Sequence, residues 1–154
     1  MFRKMRRFKQ QLSEEECIEI LKKEPRGVLS VHGEDGYPYG LPINFVYDNG
    51  KLYFHCAKEG HKIDALRKDN RASFAIYDEG YLIEGKLGLN IKSVILFGHI
   101  HFIDDPELSR EETRKLGLKY LPPEQVEKEL AAPVQPLILE LEIDHMTGKL
   151  VNES

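Results

Sequence analysis

From Tyr39 to Tyr47 every second residue is bulky and mostly apolar: Tyr39, Leu41, Ile43, Phe45 and Tyr47 alternate with Gly40, Pro42, Asn44 and Val46. A period of two sends successive side chains to opposite faces, so this segment predicts a strand. Gly33-Glu34-Asp35-Gly36 predicts a tight turn before it, and Asp48-Asn49-Gly50 a hairpin turn after it, because Asn and Gly tolerate positive φ. Lys51 to Cys56 reads as the next strand, with Leu52, Phe54 and Cys56 on one side and Tyr53 and His55 on the other. That alternation makes Cys56 a small buried residue. Val28 to Val31, Ala72 to Tyr77, Ser93 to Ile103 and Leu137 to Ile143 complete the strands, with Gly98 marking a bend or bulge.

Elsewhere the pattern is helical. Ser13 followed by Glu14, Glu15 and Glu16 is a capping-box start, and Ile18, Ile20 and Leu21 supply an apolar stripe that Pro25 and Gly27 end. Glu59 to Lys68 predicts a short helix with Ile63 and Leu66 on one face. Pro106 opens a third helix running to about Tyr120, and Pro122-Pro123 starts a fourth that ends before Pro133. The pattern leaves the conformation of Asp78 to Asn90 open, although Tyr81, Leu82, Ile83 and Leu87 predict that parts of it are covered. Antiparallel strands joined by tight turns, with short helices in the gaps, predict a mainly β fold: one small β-barrel domain over residues 1–154, with 1–12 as an N-terminal arm.

A chain of 154 residues, 41% hydrophobic, can bury one core. Its 22 basic and 26 acidic residues leave a net charge of -4, which argues against a nucleic-acid partner. Arg3, Lys4, Arg6, Arg7 and Lys9 resemble the charged start of a signal peptide, but Gln10, Gln11 and Ser13 to Glu16 follow in place of an apolar stretch. The arm is expected to lie, solvated, on the protein's own surface. No run is long and apolar enough to span a bilayer, so a soluble cytoplasmic protein without a membrane partner is expected. Cys17 and Cys56 form no Cys-x-x-Cys pair, and such sparse use suits a reducing compartment.

The segment Gly60-His61-Lys62 joins a strand to a helix, and a helix start with free amides beside a lysine accepts anions. The local pattern equally fits a turn glycine and a solvated lysine. His99 and His101 share a strand face and would begin a zinc site only with further ligands; no metal site is assigned. There is no Gly-x-Gly-x-x-Gly fingerprint for a resident nicotinamide cofactor.

Gly36-Tyr37-Pro38-Tyr39-Gly40-Leu41-Pro42-Ile43-Asn44-Phe45-Val46-Tyr47, then Leu52-Tyr53-Phe54-His55-Cys56-Ala57, then Gly60-His61-Lys62, together resemble the core of the pyridoxamine-5′-phosphate-oxidase-like split barrels, above all their nitroimidazole-resistance branch. Asn70 to Phe74, Lys92 to Gly98 and Thr147-Gly148-Lys149 extend the likeness over nearly the whole chain. The resemblance implies an antiparallel, Greek-key split barrel that dimerises with itself around FMN. By the same resemblance the flavin ring lies along Leu41, Pro42, Ile43, Asn44 and Phe45 and against Phe54 and His55. Lys62, with His61, holds its phosphate, and Ser93 approaches it, from the partner subunit in one arrangement. His55 is implied as proton donor or substrate-orienting residue. The implied activity is that of an FMN-dependent oxidoreductase reducing nitro-aromatic small molecules such as 5-nitroimidazoles. The alternatives are a non-catalytic flavin- or haem-binding barrel with His99 and His101 as axial candidates, a deazaflavin-using relative, and a cofactor-free interaction module. Pyridoxamine-phosphate oxidation fits less well, because the chain has no Trp and ends without an arginine-rich segment.

Overall fold

Ser13 caps α1 (Glu14–Lys23) as predicted: its hydroxyl accepts from the Glu16 amide at 3.2 Å, and the Glu16 carboxylate accepts from the Ser13 amide at 3.2 Å. Cys17, Ile20 and Leu21 point inward from it. In this computed structural model, which describes residues 1–153, the strands are β1 (Arg26–His32), β2 (Pro38–Asn44), β3 (Val46–Asp48), β4 (Lys51–Cys56), β5 (Arg71–Tyr77), β6 (Leu89–Ile103) and β7 (Leu137–Glu153). The remaining helices are α2 (His61–Lys68), α3 (Pro106–Tyr120) and α4 (Pro123–Leu130).

All strand pairs are antiparallel, in the order β2-β1-β5-β6-β7-β4-β3. Strands β2 and β3 therefore lie at opposite ends of the sheet although only Phe45 separates them in the chain. The sheet has to curl until its two edges meet, and the result is a split barrel whose seam is Phe45. This divides the single strand predicted over Tyr39 to Tyr47. The cause is tertiary: the Phe45 peptide bonds to α3, its amide donating to the Tyr120 hydroxyl at 3.0 Å and its carbonyl accepting from Tyr120 at 2.9 Å and from Lys119 at 3.1 Å. Inside the barrel Phe45, Phe54 and Phe74 are fully buried, Phe74 meeting Phe45 edge-on at 4.9 Å and Phe54 at 5.6 Å between centroids.

Strands β6 and β7 exceed their predicted lengths at their weakly patterned ends, Leu89 to Lys92 and Asp144 to Glu153, because each supplies the other's backbone partners. The ladder slips between Phe97 and Gly98, the bulge that Gly98 suggested. Between β5 and β6 the chain turns on Gly80, Gly85 and Gly88, all at positive φ, and Tyr81 and Asn90 exchange backbone hydrogen bonds of 2.9 Å. Leu82 and Leu87 are 75% and 86% exposed there, so the expected covering is absent among the described residues. The arm does lie on the protein's surface. Phe2 stacks on His145 and Phe97, Gln11 bridges to Lys149, and the Leu12 amide donates to Gly148 at 2.9 Å.

On the side of β4 where alternation placed Tyr53, α3 covers the sheet instead of solvent. Tyr53 is buried and its hydroxyl donates to Glu140 at 3.1 Å. Glu112 of α3 is 2% exposed, and its Oε2 has no partner beyond the neighbouring carboxyl of Asp48. Burial, reinforced by Asp48, pushes Glu112 up to about 8, while the proton Glu112 shares and the Lys115 ammonium at 2.8 Å hold Asp48 low. Glu112 is thus protonated at neutral pH and donates to Asp48. A proton is taken up on folding between the ordinary value of 4.5 and about 8, so this stabilisation is complete below the lower limit and is lost as pH rises through the upper one. Glu112→Gln keeps a donor without the titration. The melting temperature of the wild type minus that of the variant is expected to fall by several degrees between about pH 4.5 and 8; an unchanging difference would show that Glu112 titrates normally.

Candidate functional site

The helix α2 begins at Gly60, whose φ of +133° suits glycine and which offers no side-chain cap. The first-turn amides thus lack an intrahelical acceptor. A Cβ at Gly60 would meet nothing within 4 Å, so the space beside Gly60 itself is open. His61 occupies the first position and stacks on Tyr39 of β2 at 4.2 Å, which ties the helix start to the strand before the seam. Lys62 follows and makes no ion pair among the described residues.

Beside this helix start lies an open cavity of about 730 Å³, lined by His55, Cys56, Ala57 and Glu59 on one side and by Val134 and Pro136 on the other. Its size is that of a small-molecule pocket. His55 keeps one side in solvent while protein crowds the other. That desolvation lowers its pKa, the Lys62 charge lowers it further, and Glu129 of α4 opposes both. Burial raises the Cys56 thiol, again with Lys62 near enough to act on it, so Cys56 is a poor nucleophile here. The structure thus brings His55, Lys62, Cys56 and Glu129 to one place.

The other predicted positions fall into three groups. Leu41, Pro42 and Asn44 of β2 keep exposed or half-buried surface near the seam, where β2 and β4 touch, and Ile43 points inward. The Phe45 and Phe54 side chains are fully buried in the core, and the Phe45 backbone is already bonded to α3. Ser93 sits opposite Tyr77 and Lys149, whereas the far end of β6, Ile103, pairs with Ile138, the partner of His55. At about 3.3 Å per residue this puts Ser93 roughly 30 Å along the strand from the His55 row, so one chain does not bring them together.

His99 pairs with Asp144 at 2.5 Å and His101 with Glu142 at 2.7 Å. Among the described residues no group of three or more His, Cys, Asp or Glu is placed to hold a metal ion. Lys119, Tyr120 and Glu112 escaped the sequence reading because α3 was predicted only by where it starts and ends, with no inward face assigned to it. Their one signal was a Lys-Tyr pair on the helix that had to close the barrel.

A free helix start with an unpaired lysine suits a phosphate, and the adjoining cavity with His55 on its wall suits a flat ring, so these residues fit a flavin mononucleotide. Fold and site together define the class: a split β-barrel with an uncapped helix start beside an open pocket. The chain belongs to the pyridoxamine 5′-phosphate oxidase family, whose model matches residues 13–150. No curated protein matches it. Among solved structures it is similar to a candidate 5-nitroimidazole antibiotic resistance protein from Bacteroides thetaiotaomicron (22% identity over 91% of this chain and 86% of that one, TM-score 0.77). It is also similar to a FAD-binding protein from Mesorhizobium loti (23%, 93% and 98%, 0.70) and to a FAD and haem binding protein from Mycobacterium smegmatis (24%, 94% and 74%, 0.74). At these identities the likeness is one of fold.

Proposed function

We propose that the chain is an FMN-dependent oxidoreductase that acts in the cytoplasm as a homodimer and reduces nitro-aromatic compounds of the 5-nitroimidazole kind. The observation that carries this reading is the meeting of Lys62 and the open start of α2 with the His55 cavity. The fold likeness to the Bacteroides protein favours the nitro-aromatic class. Among the described residues no helix is long and apolar enough to cross a membrane. Support for a second copy comes from the outer sheet face, where Val28, Ala75 and Ile95 stand in register beside Tyr77 and Phe97, all with exposed apolar surface. A partner on that face would cover it.

A flavin held there would supply the redox chemistry, with a reduced nicotinamide as the class of electron donor. Reduction of a nitro group to nitroso consumes two electrons and two protons and releases water. Lys62 and the first-turn amides hold the phosphate, the β2 backbone orients the ring edge, and the His55 imidazole delivers a proton to a nitro oxygen. Because His55 lies below the ordinary histidine value of 6.5, the rate is expected to fall with rising pH through a midpoint below that value. Glu129→Gln removes the charge that raises His55 and moves the midpoint further into acid. An unmoved midpoint would take His55 out of the proton transfer.

The visible spectrum of the purified protein, before and after adding FMN and beside a size measurement, tests the reading. Flavin bands on a dimer, bleached by reduced nicotinamide and restored by a nitroimidazole, are expected. An intense Soret band would instead indicate a haem carrier, and a colourless protein that takes up no FMN would end the oxidoreductase reading.

A further inference from the structure

The barrel seam is held by two adjacent residues of α3. Lys119 Nζ donates to the carbonyls of Leu21 at 3.4 Å, Glu24 at 2.8 Å and Phe45 at 3.1 Å, so its three protons meet three backbone acceptors. The same ammonium lies 3.7 Å from the centroid of the Phe45 ring. Tyr120 accepts from the Phe45 amide and shares its one proton between the carbonyls of Phe45 at 2.9 Å and Pro25 at 2.5 Å. Every backbone polar group of Phe45 is therefore committed to α3, and the end of α1, the start of β1 and the seam all converge on one half-buried cation and one phenol. A lysine half withdrawn from solvent is costly unless its hydrogen bonds are complete, and here they are complete only while the Phe45 carbonyl stays where it is.

From this geometry we infer that Lys119 and Tyr120 are positioning residues for the cofactor: by pinning the Phe45 peptide they fix the direction in which Leu41 to Asn44 leave the seam, and so the backbone edge offered to the flavin ring. The inference rests on the proposed flavin site. Neither side chain lines the His55 cavity. A shift of the seam would tilt β2 against His61, which stacks on Tyr39 near the other end of that strand, and would change the distance between the ring-binding backbone and the phosphate-binding helix start. The clamp sets the spacing between the two halves of the site.

The test uses Lys119→Met and Tyr120→Phe in the full-length protein, with Ile100→Val, a core change away from the seam, as a variant that lowers the melting temperature without touching the clamp. FMN affinity, the shape of the bound flavin's visible bands and amide hydrogen exchange over Gly40 to Tyr47 are measured for all three. The clamp variants are expected to bind FMN at least about tenfold more weakly, to alter the bands and to speed exchange in that segment, whereas Ile100→Val leaves all three readouts near wild type. Wild-type affinity and bands in Lys119→Met and Tyr120→Phe, with the wild type binding FMN normally, would overturn the positioning role and leave the flavin site standing. Equal weakening in Ile100→Val would likewise overturn it by reducing the effect to stability. A wild type that binds no FMN would overturn both.

Discussion

Replacing Lys62 by alanine is expected to weaken FMN binding roughly ten- to hundredfold, with riboflavin binding unchanged, since a hydrogen bond to a charged group contributes about 1.5–3 kcal/mol and 1.4 kcal/mol is a factor of ten. Lys62 has no carboxylate partner among the described residues, so its charge is free for a ligand, and it stands at a helix start with open space beside Gly60. Riboflavin lacks the phosphate and isolates that contact from the ring's. Titrating both ligands into both proteins by flavin fluorescence decides the matter. Equal losses for the two ligands would mean that Lys62 shapes the pocket instead of holding phosphate, and no loss for FMN would remove the helix start from the site. Lys62 also helps hold the His55 imidazole low, so any residual nitroreduction in the variant should have its pH midpoint raised.

Gly98→Ala is expected to cost about 3 kcal/mol or more of stability, a fall of roughly 10 °C in melting temperature for a chain of this size. An added Cβ at Gly98 would lie 2.0 Å from the Glu142 carbonyl oxygen and 3.0 Å from Leu141 Cδ1. Backbone cannot swing aside as a side chain would, and here it belongs to the ladder that joins β6 and β7 at their bulge. Gly40→Ala is the control, because its Cβ would meet only Ser30 Oγ and Val28 Cγ1 at 3.4 Å, ordinary contact, and should stay within about 0.5 kcal/mol. Thermal melts of the two variants should therefore differ widely. A melt for Gly98→Ala close to that of Gly40→Ala would mean that the bulge relaxes far more freely than the ladder suggests.

The alternation of β2 and β4, the capping box at Ser13 and the bulge at Gly98 were all legible in the chain, because each is decided by residues a few positions apart. The helix start at Gly60-His61-Lys62 was legible for the same reason, and the cavity lies next to it along the chain, through Glu59. What alternation could not tell was which sheet edge each half of Tyr39 to Tyr47 would join. That choice is made at Phe45 by Lys119 and Tyr120, more than seventy residues further on. The buried Glu112 was unreadable too, since an acid on a helix surface looks the same whether it meets water or another carboxyl. Leu82 and Leu87 misled in the opposite sense: apolar side chains signal that something covers them, and cannot signal that it belongs to the same chain.

The C-terminal half of β7 bonds to β6 on one side, while on its other side β4 reaches only as far as Glu142. Past that point the strand's free flank is met by the arm, through Gln11 opposite Lys149 and the Leu12 amide on Gly148. An unmet flank of this kind is a template for another strand. Where the arm is seated, at Gly148 and Lys149, that flank is already occupied, and a strand from another copy would have to displace Gln11 and Leu12 to add there.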